Sequence, residues 1–547
     1  MTLQGIARAA TLLSFIACGQ ARTEYRAFWV DTFNTELNNH SDVVAVVAQA
    51  KAANANMIVA QVRRRGDSWY LNSLEPAPDF TPIDRGFDPL QDLIEEAHAC
   101  AIEVHAFTIV GAIWNKNPNF PPSATLGPPL NPDHVFNRHS GYDPSTRQIV
   151  PGPDNWLTRT LLPDQAGISF QGHRIGSDFW IDFGHPDAAA YTVDVLMQLV
   201  RNYDLDGLHL DRIRYPDLSV SGQTIATGAN IGYNPRNVTR FQQRFGIAVG
   251  APPPDPADPL WSQWRRDQVT NLVRRIYLNA IAIRPRLKIS AALIAYGDGP
   301  GAEESWNATE AYWRVFQDWR GWTEEGILDI AVPMNYKREH IPAQAIWFDH
   351  WNKWTVGHRY GRSAMIGLGV YLNSVEGTLR QIRRSLDEPV TGVSLYSLAN
   401  SDSSVSANPF SIPPGQDTPA RGIPALAAAL TMNNYPYEDL TLHPAPVFTE
   451  PAATPELAWK TSPALGHVMG FAARADGAPV DSAIVTIASL DGTIIRTTST
   501  DGGGFYGGVD LAPGEYIVTA RFDSNIFSAP PFEVIAGSVA RVDLTVD

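Results

Sequence analysis

Residues 206–216 read DGLHLDRIRYP, an acidic residue set where a short apolar strand gives way to a polar loop. A carboxylate in that position can attack, take up a proton or balance positive charge, and parallel-barrel enzymes place such groups at the C-terminal ends of their strands. Side chains alternate along a strand, so Leu208 and Leu210 share one face and Gly207, His209 and Asp211 the other. If the leucines meet surrounding helices, His209 and Asp211 point into a barrel mouth. The structural alternative is that Asp211 caps the next segment or pairs with Arg212 or Arg214.

Other strand-like stretches end on polar residues too: Asp31, Arg63, Asn335 and Tyr371. Residues at equivalent ends of separate parallel strands converge on one cleft, with Trp29, His105 and Tyr336 as further candidates for holding a substrate. Each has a core, capping or solvated role as its alternative.

The elements that must position these groups alternate strand and helix from Tyr25 for almost 380 residues. Eight strands are expected: 24–31, 57–63, 103–110, 206–211, 288–295, 328–335, 363–371 and 391–399. Between them lie amphipathic helical patterns such as DPLQDLIEEAHAC and VEGTLRQIRRSL. Near-continuous apolar strands joined by helices call for a closed (β/α)8 TIM barrel within an α/β chain, over residues 24–440. An open doubly wound sheet is disfavoured because no glycine-rich phosphate turn follows the first strand. The stretch from Trp114 to Trp180, rich in Pro, Asn, Gly and His, is too long for a plain connection and reads as a wall over the cleft.

A proline-rich linker is expected at 441–466 and an all-β unit at 467–547, where apolar and polar residues alternate between DG, DGGG and APGEY turns. Seven short strands there imply a small β-sandwich, and TDGGGFYGGVDLAPGEYIVTA resembles the carboxypeptidase regulatory-like, or transthyretin-like, module, usually a noncatalytic accessory.

Composition narrows the partners. With 44% hydrophobic and 18% charged residues the 547-residue chain is globular, and at that length it has more than one domain. A net charge of −15 gives no basic excess to replace the counterions of a nucleic acid, so none is expected as partner. Arg8, the apolar run Ala9–Ala17 and the small residues after it read as a secretory signal over residues 1–21, too short for a membrane span. Secretion or a periplasmic location follows, with envelope association through a lipidated Cys18 as the alternative. Cys100 is then the one remaining cysteine, so disulfides and thiolate zinc are not expected; no metal ligand set or cofactor motif is read elsewhere.

The order and spacing of RAFWVDT, QVRRRGDSWYLNSLEP, WIDFGHPDAAAY, DGLHLDRIRYP, WRRDQVTNLVRRIY and LDIAVPMNYK resemble the glycosyl hydrolase-like family 10, exported bacterial barrels, over roughly residues 24–430. The resemblance implies hydrolysis of a glycosidic bond in a polysaccharide, with glycan strands of peptidoglycan as a substrate linked to members. DGLHLD is also similar to the fourth-strand motif of the alpha-amylase family, whose last Asp is the nucleophile. Members of family 10 commonly follow the aspartate matching Asp211 with a second acid, where this chain has Arg212.

Such hydrolysis uses two carboxyl groups. Asp211 is expected to be the anionic one. Glu303 and Glu304 lie where an amylase-like barrel keeps its acid, Asp298 follows the same strand, and Asp31 is a further option. A noncatalytic carbohydrate-binding protein that keeps the cleft but lacks the second acid is the competing function.

Overall fold

The computed structural model describes residues 23–546 except 36, 80–81, 116–127, 147, 162–172, 174–177, 218–223, 302, 404–421 and 434–444. The expected signal over 1–21, with Cys18, lies outside the described residues.

Eight strands close a barrel: β1 (Tyr25–Val30), β2 (Met57–Arg63), β3 (Glu103–Ile109), β4 (Gly207–Asp211), β5 (Lys288–Ile294), β6 (Ile330–Met334), β7 (Ser363–Gly369) and β8 (Gly392–Tyr396). Each is parallel to its sequence neighbour, and β8 returns to β1. The helices α1 (His40–Ala52), α2 (Pro89–Ala99), α3 (Pro186–Asn202), α4 (Pro235–Arg244), α5 (Pro259–Ile283), α6 (Trp319–Glu325), α7 (Pro342–Gly357), α8 (Val375–Leu386) and α9 (Gly422–Thr431) belong to the connections and the chain's last turn around the barrel. Local chemistry marks where they begin: Asp88, Asn234 and Asp258 each accept a backbone N–H as N-caps, and each is followed by proline, which loses nothing in a first turn.

Period two sorts the strand residues into two cores. Phe28, Val30, Leu208 and Leu210 face the helices, whereas Tyr25, Ala27, Trp29, Met57, Val59, Phe107 and Val332 fill the barrel. Two glycines leave room for the larger interior groups: a Cβ at Gly207 would stand 2.2 Å from the His105 ring, and one at Gly367 2.8 Å from the Trp29 ring.

Residues 447–461 run beneath the barrel as its floor. Glu24 donates its N–H to the Ala453 carbonyl, Asn56 donates to Ala452, and Thr454 donates to Glu103. Trp459 and Lys460 both reach Asp329, at 2.7 and 2.9 Å.

The C-terminal region holds two packed sheets built on β9 (Gly466–Ala473), β10 (Ile484–Ser489), β11 (Ile494–Ser499), β12 (Phe505–Leu511) and β13 (Gly514–Phe522), with four shorter strands after them. It lies along α5, which is buried on both sides: Val269, Leu272 and Ile276 meet the barrel core, while Leu278 faces Gly507. Ion pairs Arg240–Asp481, Arg275–Asp501 and Arg362–Asp510 line this junction.

Candidate active site

The mouth of the barrel is an aromatic bowl. Trp29, from β1, stands edge-on to Tyr336 (6.4 Å between ring centres) and Tyr396 (5.9 Å). Tyr336 and Tyr396 stack at 5.7 Å and 25°, and Tyr371 closes the group at 6.0 Å from one and 6.1 Å from the other. Flat aromatic faces suit the apolar faces of sugar rings, and the three tyrosines are partly exposed. Trp29, expected to hold a substrate, is instead buried beneath them because its parity on β1 turns it into the packed barrel interior.

His209 supports the bowl from below. It is fully buried, and burial pushes its imidazole down to about 3, so the ring is neutral. Its Nε2 accepts the Trp29 indole N–H at 3.1 Å, which leaves Nδ1 to donate to Ser290 at 2.9 Å. The face shared by Gly207, His209 and Asp211 is therefore the interior one. His209 is a buried support for Trp29 in this arrangement.

Two carboxylates lie at the bowl, from the ends of the first and fourth strands. Asp211 ends β4 with 15% of its side chain exposed, accepts the Arg212 N–H at 2.7 Å and lies 3.6 Å from Arg214. Asp31, just past β1, is fully buried; one oxygen accepts from Asn34 at 2.7 Å and the other has no partner among the described residues. Gln61 fixes the loop behind it by accepting both the N–H and the hydroxyl of Thr32. The charges of both aspartates bear on Tyr336 and Tyr396: burial first, then neighbouring charge that includes Asp31 and Asp211, holds the two phenols well above their ordinary value. They are hydroxyl donors at any physiological pH.

Cations ring one side. Asp178 bridges Arg65 and Arg212 at 2.5 Å each, and Trp180 lies under the Arg212 guanidinium at 5.4 Å. Burial opposes the charge of Arg212, but Asp178 and Asp211 outweigh it and hold its value above the ordinary one. Arg212 also has φ +50°, a left-handed conformation that costs a non-glycine residue about 1 kcal/mol and turns the chain sharply after Asp211. Asp178 and Trp180 belong to a short strand, 178–180, paired antiparallel with 112–115, so the described part of the long segment after β3 does stand beside the cleft.

Several expected site residues lie elsewhere. Asn335 faces outward, donating to the Phe348 carbonyl and to Asn352, because Ile330 and Val332 are the interior residues of β6 and parity turns Asn335 away. His105 is buried low in the barrel, with Nε2 3.3 Å from Glu103. Arg63 is not free to hold a ligand: it makes two 2.6 Å bonds to Glu75 and donates to Ile109 O. Asp298 sits half-exposed on the rim, 2.7 Å from His350. Glu303 and Glu304 open a 3-10 turn over 303–308, and their side chains lie outside what is described.

Sequence reasoning missed Tyr396, Arg65 and Asp178. Tyr396 was findable, since it ends the eighth strand on the interior parity. Lys337, next to Tyr336, turns to the Ala295 carbonyl at 2.7 Å, and burial pushes its ammonium down to about 8. Among the described residues no group of His, Cys, Asp and Glu could hold a metal ion.

Comparison with known proteins bears on this site. The family described as Glycosyl hydrolase-like 10 matches residues 155–383, a span holding Asp178, Asp211, Arg212, Tyr336 and Tyr371 but not Asp31 or Tyr396. Glycosyl hydrolase YngK of Bacillus subtilis is 23% identical over 340 residues, 59% of this chain and 56% of that one. Glycosyl hydrolase DigH of Escherichia coli K12 is 21% identical over 334 residues, 57% of this chain and 64% of that one. The chain thus spans less than two thirds of the length of these relatives. Among solved structures, the PgaB (BpsB) glycoside hydrolase domain from Bordetella bronchiseptica aligns with a TM-score of 0.47 at 13% identity, over 69% of this chain and 95% of that one. The central part of the barrel, with Asp211 at its mouth, is similar to glycosyl hydrolase-like 10 proteins.

Proposed function

We propose that this protein is a glycoside hydrolase that cleaves a polysaccharide at the mouth of its barrel. The observation that carries the reading is that Asp31 and Asp211, from the ends of the first and fourth strands, both bear electrostatically on one pair of stacked, partly buried tyrosines. A glycosidic bond breaks through a transition state with positive charge on the sugar, and needs one carboxyl group to protonate the leaving oxygen and another to attack or to activate water. Asp211, the more open of the two, is the anionic group on the sugar side. Asp31 supplies the second carboxyl through its unpartnered oxygen. The tyrosine hydroxyls donate to ring substituents, and Trp29, itself buried beneath them, holds the tyrosine rings in place.

Glycan strands of peptidoglycan are the first substrate to try, and an exported protein, secreted or periplasmic, with or without a lipid on Cys18, is the setting that goes with them. The C-terminal sheets are proposed as a transthyretin-like accessory. One observation favours the competing reading, a carbohydrate-binding barrel without turnover: Arg212, committed to Asp178, stands where a second acid is common in the family.

The test is release of reducing ends from bacterial cell-wall and plant polysaccharides by the full chain, with NMR of the first product to read its anomeric form. Release that vanishes in both Asp211→Asn and Asp31→Asn supports the proposal. Release unchanged in folded Asp31→Asn removes Asp31 from the pair. Binding without release by the wild type selects the carbohydrate-binding reading.

A further inference from the structure

We propose that the cleft between α4 and the C-terminal sheets is a second binding site, one that holds an acidic polysaccharide strand. The cleft has a volume of about 680 Å³ and is lined by five arginines, Arg236, Arg240 and Arg244 from the barrel side and Arg474 and Arg521 from the sheets, against two aspartates, Asp481 and Asp523. In a chain of net charge −15 this is a local reversal of sign.

The five do different work. Arg240 is buried and fully engaged: it bonds Asp481 at 2.7 and 2.9 Å and donates to the Gly184 carbonyl and Gln268 at 2.7 and 2.8 Å. It fixes the wall and uses up Asp481. Arg236, Arg244, Arg474 and Arg521 are exposed, and among the described residues none has a carboxylate at ion-pair distance. Arg474 lies over the Phe522 ring at 5.4 Å, which holds its guanidinium plane and leaves its N–H edge open. Planar guanidinium forks match carboxylates and phosphate groups with two parallel hydrogen bonds each, so unpaired forks facing one space fit a ligand with repeated acidic groups.

A polysaccharide is favoured over a nucleic acid because the rest of the surface is acidic and would repel a longer polyanion. The position supports the same choice. α4 belongs to the connection that leaves β4 just after Asp211, and Arg240 reaches Gly184 at the start of α3, so the cleft flanks the face of the barrel that bears the mouth. A strand held there would keep its neighbouring residues near the bowl. That the polymer is a glycan rests on the hydrolase reading; that it is acidic rests on the arginines.

Affinity electrophoresis of the full chain through gels containing polygalacturonate, phosphomannan, dextran or oligo(dT) tests this. Polygalacturonate or phosphomannan should retard the protein, dextran should not, and about 0.5 M NaCl should abolish the effect. Which acidic polymer acts identifies carboxylate or phosphate as the group held. Arg474→Gln with Arg521→Gln should weaken the retardation about tenfold, and Arg236→Gln with Arg244→Gln, on the other wall, should do likewise. The lysine pair at 474 and 521 should recover only part of it. Retardation undiminished in both glutamine pairs, equal retardation by dextran, none by either acidic polymer, or stronger retardation by oligo(dT) overturns the proposal. Asp211→Asn should bind as the wild type does. Arginine-dependent retention in a protein that hydrolyses nothing would leave the cleft standing and remove the hydrolase reading; hydrolysis without retention would do the reverse.

Discussion

At the floor of the barrel Asp329 is fully buried and accepts four hydrogen bonds, from Tyr277, Trp459, the Ile289 N–H and Lys460. At the mouth Asp31 is just as buried, yet one of its oxygens has no partner among the described residues. The floor repeats its pattern: Glu103 takes Lys288 and Thr454 at 2.6 Å, and Arg26 takes Glu24 at 2.7 Å. The mouth repeats its own, in phenols crowded by two carboxylates and a left-handed Arg212 after the key aspartate. Burying a carboxylate oxygen without a partner costs stability, so Asp329, with both oxygens engaged, adds to the fold, while Asp31 keeps an acceptor free at the mouth. The buried carboxylates of the floor are tied to cations and donors from distant segments, and the mouth is where the proposed chemistry would take place.

Breaking that comparison at the mouth should cost activity and little else. Asp211→Asn is expected to raise the barrier by about 4 kcal/mol, roughly a thousandfold in turnover, with the melting temperature nearly unchanged. Turnover and calorimetry on the two proteins measure both halves. Near-normal turnover in the folded variant would end the assignment of Asp211.

At the floor the reverse is expected. Asp329→Ala strands the buried Lys460 ammonium and should lower stability by about 3 kcal/mol in urea unfolding, while turnover per folded molecule stays at the wild-type level. A loss of turnover in the folded fraction would mean that floor and mouth are coupled.

A finer test uses pH. Burial pushes the Glu103 carboxyl up, but His105 and Lys288 outweigh it and bring the value from 4.5 down to about 2. A folded-state value below the unfolded one adds stability that is present above 4.5 and disappears as pH falls through about 2. Glu103→Gln should therefore cost about 2 kcal/mol at neutral pH and progressively less as the pH drops through that window. A pH-independent cost would show that packing, not charge, is what Glu103 contributes.

The smallest expected effect is Tyr396→Phe. Losing one donor to the substrate should lower kcat/KM about tenfold, near 1.4 kcal/mol, without destabilising the barrel, because the ring and its stacking remain. A drop in stability instead would place Tyr396 with the floor residues in character.

How far the mouth was readable from the chain depended on distance along it. Asp211 and Trp29 sit on runs whose alternation is visible in a few residues, and that alternation turns them inward. Asn335 shows the same rule applied too loosely: it was chosen for ending a strand, whereas the parity set by Ile330 and Val332 turns it toward α7. The Arg65–Asp178–Arg212 cluster was not readable, since Arg65 and Asp178 are 113 positions apart and meet only because the segment after β3 folds back beside β4. The floor was not readable either: residues 447–461 look like a proline-rich connector, and their partners Glu24, Asn56, Glu103 and Asp329 are scattered over three hundred positions.

The sequence by itself determined the eight parallel strands, the helices between them and the face of β4 that carries Asp211, because period two and period 3.6 are local properties of burial. Only the tertiary structure decided that the charges of Asp31 and Asp211 bear on the same tyrosine, that Asp178 ties two arginines beside Asp211, and that the C-terminal sheets and α4 bring five arginines to one cleft. Those juxtapositions arise when the barrel closes and its loops and its neighbour settle on it, and no repeating pattern along the chain encodes which distant side chains will then meet.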